Sequence, residues 1–380
     1  MSTVHIFVLI DAMGWELVEH RPFLAEFLAH QQPVRTMLGF SSGIIPSILT
    51  GRTPAETGMW NLVFYNPTAS PFRRLRPIAP VLRAMDNRIG RRLLTEAGRR
   101  LLGMGANFDV SVPPQTLPWF DWAESGNIYA RGGVPGQQSI FDLLAARQVP
   151  HKIYSYKDPL TDAEILSRAA RDVEQGSEKF FFLYLCELDM FLHTHRDAPE
   201  KIAAKLAWYE QELGNVFAAA RRRDAAADFH IFSDHGMTPV VRHCDLAAEV
   251  TACGFQQPAD FLAVYDSTMA RFWFFSAAAR EKITARLASL DYARLLTDDE
   301  LREFGVYFPD CRYGELVVLL SPGSIVAEGG FNGAGWRPKG MHGYHPDDPY
   351  AMAVYLSSHA PQHELASVKD IFTIMQEAAQ

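Results

Sequence analysis

Three aspartates and three histidines stand beside the short apolar runs of this sequence. Asp11 follows Ile6–Ile10, Asp189 and His193 follow the run from Phe180 to Cys186, Asp234-His235-Gly236 follows Phe229–Phe232, and His342-Gly343-Tyr344 precedes Ala351–Leu356. Carboxylate oxygens and imidazole nitrogens are the donors that divalent cations such as zinc take, and a cation so held activates a hydroxyl and polarises an ester. Singly, each position has a plainer explanation. An aspartate after a strand is commonly a helix cap or turn former, Asp-His-Gly can be only a turn, and a lone histidine is commonly just hydrogen-bonded. Jointly, four strand-end positions supplying six donors make a two-metal centre more economical than four unrelated turns.

Hydrolysis at such a centre also needs a nucleophile. Gly39-Phe40-Ser41-Ser42-Gly43 leads into Ile44-Ile45-Pro46-Ser47-Ile48-Leu49, small residues followed by an apolar helical run. At a helix N-terminus, free amides and the helix dipole favour a phosphoryl anion, and a hydroxyl held there beside a metal becomes an alkoxide near neutral pH. Ser41 and Ser42 are both candidates for that role, and either could instead serve as the helix cap.

The elements that must position these groups follow from periodicity. Apolar runs bounded by turns alternate with segments of helical spacing, among them Asp162–Val173 and Pro199–Arg222, which is the pattern of a mostly parallel buried sheet in an α/β fold. Two stretches break the rhythm. Residues 70–118 carry Arg73, Arg74, Arg76, Arg83, Arg88, Arg91, Arg92, Arg99 and Arg100 without a lysine, interleaved with apolar residues. This basic amphipathic cap is either a solvated face whose aliphatic stems pack on the core, or a lid that attracts a phosphorylated substrate or rests on an anionic membrane. Residues 255–333, with Arg271–Phe275, a helix near Ala277–Leu290 and Glu315–Leu320, form a small α+β insertion.

A chain of 380 residues with 48% hydrophobic content buries a large core, which excludes disorder as the default. Its formal charge of -8 gives no case for binding a nucleic-acid polymer, so the partner expected is a small phosphorylated molecule held by local cations. Cys186, Cys244, Cys253 and Cys311 are scattered without a CxxC pair, and Met1–Ile10 lacks the basic flank of a signal peptide. No apolar run is long enough to span a bilayer, and the expectation is a cytoplasmic protein.

These motifs, in this order, resemble the alkaline phosphatase superfamily, and within it the type I phosphodiesterase and nucleotide pyrophosphatase branch. The resemblance rests on Asp11, a hydroxyl nine residues before Thr50-Gly51, the tail Arg52–Gly58, Asp189-x-x-x-His193, Ser233–Met237 and Met341–Tyr344. It implies a three-layer sandwich as one catalytic domain over 1–380, and two divalent metals, zinc being usual. By the resemblance, Asp11, Asp234 and His235 hold one metal with the Ser41 hydroxyl, and Asp189, His193 and His342 hold the other. The spacing to Thr50 favours Ser41 over Ser42 as nucleophile. The activity implied is hydrolysis of a phosphodiester or pyrophosphate through a phosphoseryl intermediate. Phosphomonoesterase, a membrane-surface hydrolase of a lipid or polyprenyl phosphate, and a non-catalytic phospho-ligand binder stand as alternatives.

Two positions depart from the branch. Thr57 stands where relatives have histidine, and Leu62 where they have a phosphate-binding asparagine, leaving the adjacent Asn61 as a candidate phosphate contact; failing that, the metals, backbone amides or a cap arginine would stabilise the oxyanion. His193-x-His195 also suggests the HxH of amidohydrolase barrels, but that motif follows a first strand and this one lies midway along the chain. His345 is read as a surface histidine or a proton-transfer group near the site. A sulfatase would need a Cys/Ser-x-Pro-x-Arg motif, which neither Ser41 nor Ser42 begins.

Overall fold

A strand covered on both faces must be apolar on both, and the four runs named above satisfy this. In the computed structural model, which describes residues 3–104, 108–123, 126–329 and 335–380, they become the interior of a six-stranded sheet. Its order is His30–Val34, Ala353–Ser357, Asp228–Phe232, His5–Ile10, Phe180–Leu185 and His151–Tyr154. Every residue of Phe180–Leu185 and Ala353–Ser357 is buried. The two edge strands carry no such run: in His30–Val34 only Val34 is buried, and Pro33 is tolerated because an edge strand can spare a backbone donor.

Three of the five pairings in this sheet are parallel and two are antiparallel. His5–Ile10 pairs in parallel with Phe180–Leu185 and Asp228–Phe232, and His151–Tyr154 with Phe180–Leu185. Ala353–Ser357 runs antiparallel to both of its neighbours. That reversal matters for the site: the N-terminal end of this strand lies at the edge where the parallel strands end. His342, which precedes it, therefore arrives beside residues that follow the others.

Helices cover both faces. Asp162–Gln175 and Pro199–Arg223 pack Ile165, Leu166, Leu206, Tyr209 and Leu213 against Ile6, Val8, Leu183 and Ile231. On the other face Ser41–Thr50, Ile140–Ala146 and Ile371–Ala378 pack against Phe7, Leu9, Phe182 and Phe232. Helix starts are locally specified: Thr161 accepts from the Glu164 amide at 3.2 Å while Glu164 accepts from the Thr161 amide at 2.8 Å. The result is the three-layer α/β architecture expected.

The two stretches that break the rhythm sit together above the sheet's carboxyl edge. Residues 70–118 leave from an antiparallel ribbon of Val63–Tyr65 with Phe120–Trp122 and are mostly helical, the longest helix being Arg88–Leu101. The second stretch forms an antiparallel sheet ordered Phe261–Tyr265, Met269–Phe274, Leu316–Leu320 and Ala293–Leu296, backed by the helix Ala277–Ala288. Leu262, Val264 and Trp273 of that sheet share one apolar cluster with Phe72, Leu94, Phe108 and Trp122. Residues 105–107 and 330–333 of these stretches lie outside the described residues.

Candidate metal centre

Each donor reaches the cluster through a specific local device. Asp11 leaves the first strand with its amide donating to Leu185 O at 3.0 Å, and its Oδ2 accepts a hydrogen bond from the Tyr184 hydroxyl. Asp234 is held at its Oδ1 by the amides of Ala12, at 3.3 Å, and His235, at 3.1 Å. Gly236 is required by space: a Cβ there would stand 2.2 Å from Tyr350 O. Asp189 and His193 lie on the helix Glu187–His195, where the i, i+4 spacing puts both on one face.

The donors converge. His235 Nε2 lies 3.2 Å from Asp234 Oδ2, 3.6 Å from Asp11 Oδ1 and 3.0 Å from Ser41 Oγ. Asp189 Oδ1 lies 3.3 Å from His193 Nε2 and 3.5 Å from His342 Nε2. The His235 and His342 rings stack with centroids 3.7 Å apart, joining the two groups into one site. Second contacts orient the rings: His235 Nδ1 faces Gly236 O at 3.0 Å and His193 Nδ1 faces Gly340 O at 2.8 Å, so each Nε2 is turned to the cluster. Within this cluster, Asp11, Asp234, His235 and Asp189, His235, His342 each bring one ligand atom per residue within 4.8 Å of the others. His235 thus stands between the two groups, and His193 reaches the second through Asp189.

The electrostatics fit cations. Asp11 Oδ1, Asp189 Oδ1 and Asp234 Oδ2 are buried without a hydrogen-bond partner, an arrangement that is costly unless a positive charge satisfies it. Burial, together with the neighbouring carboxylates of Asp234 and Asp189, pushes the Asp11 carboxyl well above its usual range. Against the cost of burial, His193, His342 and His235 hold the Asp189 carboxyl well below its usual range. Burial and the adjacent His235 keep His342 neutral, the form in which imidazole binds metal.

Ser41 is the first residue of the helix Ser41–Thr50, so its amide and that of Ser42 lie at the open N-terminus. Gly43 lets the helix approach the following loop, since a Cβ there would meet Trp60 O at 2.2 Å. Ser41, Ser42, Asp189 and His342 form the floor of a cavity of about 450 Å³. Its walls come from Leu62 and Val63, from Asp109 and Ser111 of the 70–118 stretch, and from Val264, Asp266 and Ser267 of the 255–333 stretch.

Several residues singled out in the sequence do not come to the cavity. Asn61 is buried with its amide nitrogen 3.3 Å from Met269 Sδ, and Leu62, 38% exposed, takes the place at the wall. The Asn61 Oδ1 is buried without a hydrogen-bond partner near Gly39, and Asn61 does not line the cavity. Thr57 is structural: its hydroxyl accepts from the Met59 amide and donates to Pro54 O. The cap offers the cavity Asp109 and Ser111 rather than an arginine. Its arginines are engaged elsewhere, Arg91 with Asp86 and Val110 O, Arg99 with Phe108 O, or lie exposed. His195 stacks on Phe191, and His345 accepts from the Asp347 amide; neither lines the cavity.

Two supporting residues were not anticipated. Tyr184 had a signal, because a tyrosine inside an otherwise apolar buried strand needs a partner for its hydroxyl. Arg196 had none. Its guanidinium joins Glu16 at 2.9 Å and Met237 O at 2.7 Å, tying the helix that carries Asp189 and His193 to the loop that carries Asp234 and His235.

This layering, with metal donors gathered at the carboxyl edge, is that of the alkaline phosphatase superfamily. The human ectonucleotide pyrophosphatase/phosphodiesterase 5 structure superposes with a TM-score of 0.69 at 10% identity, covering 100% of this chain and 95% of the other. The murine protein gives 0.68 at 13% identity with the same coverage, as does an inactive form of it in complex with AMP. No curated protein sequence matches the chain. The family model for type I phosphodiesterase/nucleotide pyrophosphatase matches residues 5–345, and the chain belongs to that family. It is a phosphoric ester hydrolase.

Proposed function

We propose that the protein cleaves a phosphodiester with Ser41 as nucleophile, through a phosphoseryl intermediate, at a pair of zinc ions. Asp11, Asp234 and His235 would hold one ion with Ser41, and Asp189, His193 and His342 the other. The observation that carries this reading is the approach of Ser41 Oγ to His235 Nε2, 3.0 Å, at a helix N-terminus beside buried carboxylate oxygens that lack partners. When bound, the zinc pair would favour the serine alkoxide and neutralise charge developing on the phosphoryl oxygens. Ser41 Oγ attacks phosphorus and the first alcohol departs. Water then cleaves the phosphoserine, releasing a phosphomonoester and restoring the hydroxyl. The helix-end amides of Ser41 and Ser42 orient the phosphoryl oxygens. Ser42, on the same floor, is the second choice as nucleophile.

Residues 1–380 form one catalytic domain in this reading, with insertions 70–118 and 255–333 walling the leaving-group space. That wall mixes Leu62, Val63, Val264 and Met341 with Asp109 and Asp266, and its carboxylates disfavour a substituent bearing further negative charge. A diester with an uncharged or ammonium-bearing alcohol suits it better than a monoester or a polyphosphate. The murine neighbour's complex with AMP agrees with a small phosphorylated ligand. Free cysteines support a reducing, cytoplasmic setting. Turnover of bis-p-nitrophenyl phosphate well above that of p-nitrophenyl phosphate, with acid-quenched phosphate found on Ser41 by peptide mapping, is expected. Faster monoester turnover would reverse the preference, and an unlabelled Ser41 would remove the intermediate.

A second reading, docking on an anionic membrane, draws on the cap. Ile78, Val81, Ile89, Leu93 and Leu101 are 48–81% exposed, alongside exposed Arg88, Arg92 and Arg100. Nine arginines in 70–118 face only Asp86, Glu96 and Asp109, in a chain of net charge -8. Among the described residues no helix is long and apolar enough to cross a membrane, so the contact would be peripheral. Cosedimentation with anionic vesicles that is lost in R88Q/R92Q/R100Q supports it; no sedimentation with any vesicle sinks it.

A further inference from the structure

We propose that His5, Asp228 and His230 form a further divalent-metal site, suited to zinc, that clamps two strands at the sheet edge opposite the hydrolytic cavity. His5 opens the first strand, and Asp11 lies six residues further along, about 20 Å of extended chain. The register sets His5 against Asp228 and Phe7 against His230. With a side-chain period of two, all four project from one face of the sheet.

The donors converge without satisfying one another. Asp228 Oδ2 lies 3.2 Å from His230 Nε2 and 3.6 Å from His5 Nδ1, yet His230 Nε2, His5 Nδ1 and Asp228 Oδ1 are buried and have no hydrogen-bond partner. A single ligand atom from each falls within 4.8 Å of the other two. Donors bound tetrahedrally to zinc at about 2.0–2.1 Å stand about 3.3–3.4 Å from each other, close to these spacings. His230 is 5% exposed and aims its unpartnered Nε2 at the carboxylate. Its other nitrogen, Nδ1, meets the Tyr355 hydroxyl oxygen at 2.8 Å, the second contact that fixes the ring and leaves Nε2 a lone pair. Phe7 stacks on the same ring at 4.3 Å.

The charge states agree with a metal. Burial keeps His230 neutral despite the neighbouring carboxylate, while the two histidines, against the cost of burial, hold Asp228 well below the usual carboxylate range. Two imidazoles and a carboxylate are a zinc donor set, and the 21% and 23% exposure of the His5 and Asp228 side chains leaves water access to a fourth position.

The test is zinc titrated into chelator-stripped full-length protein, with bound zinc counted by elemental analysis after gel filtration. The wild type is expected to hold one zinc equivalent more than H5Q or H230Q, while both variants hydrolyse bis-p-nitrophenyl phosphate within about twofold of wild type, since neither residue lies at the cavity. Cobalt substitution is expected to show a tetrahedral absorption component that both variants lose. Equal zinc content in wild type and H5Q overturns the site. Because His5 lies at the strand's open end, H5Q decides the matter even if H230Q fails to fold.

Discussion

The floor of the cavity and its walls are built on opposite principles. The floor, with Ser41, Ser42, Asp189 and His342, rests on the cluster of Asp11, Asp234, His235 and His193, held on strand ends and one helix and nearly all buried. The walls come from Leu62 and Val63 and from two stretches, 70–118 and 255–333, that share an apolar cluster and present Val264 and the carboxylates of Asp109 and Asp266. A floor of this kind fixes the reaction, because its groups have almost no freedom to rearrange; the walls fix the alcohol, because they can change without disturbing the donors.

The sharpest division comes from Ser41→Ala. Turnover is expected to fall about 10⁴–10⁶-fold with zinc content unchanged; an active variant would take Ser41 off the floor. Asp234→Ala should cost on the order of 10³-fold in turnover and also lose zinc by elemental analysis, since its unpartnered Oδ2 is then gone. Arg196→Met leaves every donor in place but cuts the tie between the helix and the Asp234 loop, and a 10–100-fold loss of zinc affinity is expected. Unchanged affinity would mean the floor holds itself. At the wall, Asp109→Asn should shift KM for an ammonium-bearing diester about threefold upward and leave kcat alone, about 0.7 kcal/mol; a change in kcat instead would blur the division.

The smallest effect concerns stability. Burial raises the Glu16 carboxyl to about 7, although Arg196 opposes it. The folded state therefore holds a proton that the unfolded state has released, so stability falls as pH rises from about 4.5 to about 7 and levels off above. Glu16→Gln should flatten that fall, a change on the order of 1–3 kcal/mol in urea unfolding compared at pH 5 and pH 8. A slope equal to wild type would show that Glu16 does not carry it.

The sequence disclosed the floor better than the walls for a physical reason. Interior strands such as Phe180–Leu185 must be apolar on both faces and so announce themselves, and the donors sit directly at their ends. The edge strands His30–Val34 and His151–Tyr154 are half-solvated, each with a single buried residue, and carry no apolar run to mark them. In the second insertion, Arg271–Phe275 and Glu315–Leu320 pointed to strands, but Ala293–Leu296 did not, having a single buried residue. Asn61 shows the limit of adjacency: one position decides whether a side chain meets the cavity or Met269, and that choice is made by packing around Trp60. Arg196 acts through contacts distant in sequence, Glu16 and Met237, which no local pattern encodes.

The reversed strand has a consequence for biogenesis. Among the described residues, Ala353–Ser357 is the only strand that joins His30–Val34 to the rest of the sheet. During translation, His30–Val34 must wait, unpaired, until the much later Ala353–Ser357 has emerged. Until then the emerging chain carries an open β-edge on Asp228–Phe232, exposed to association with other chains.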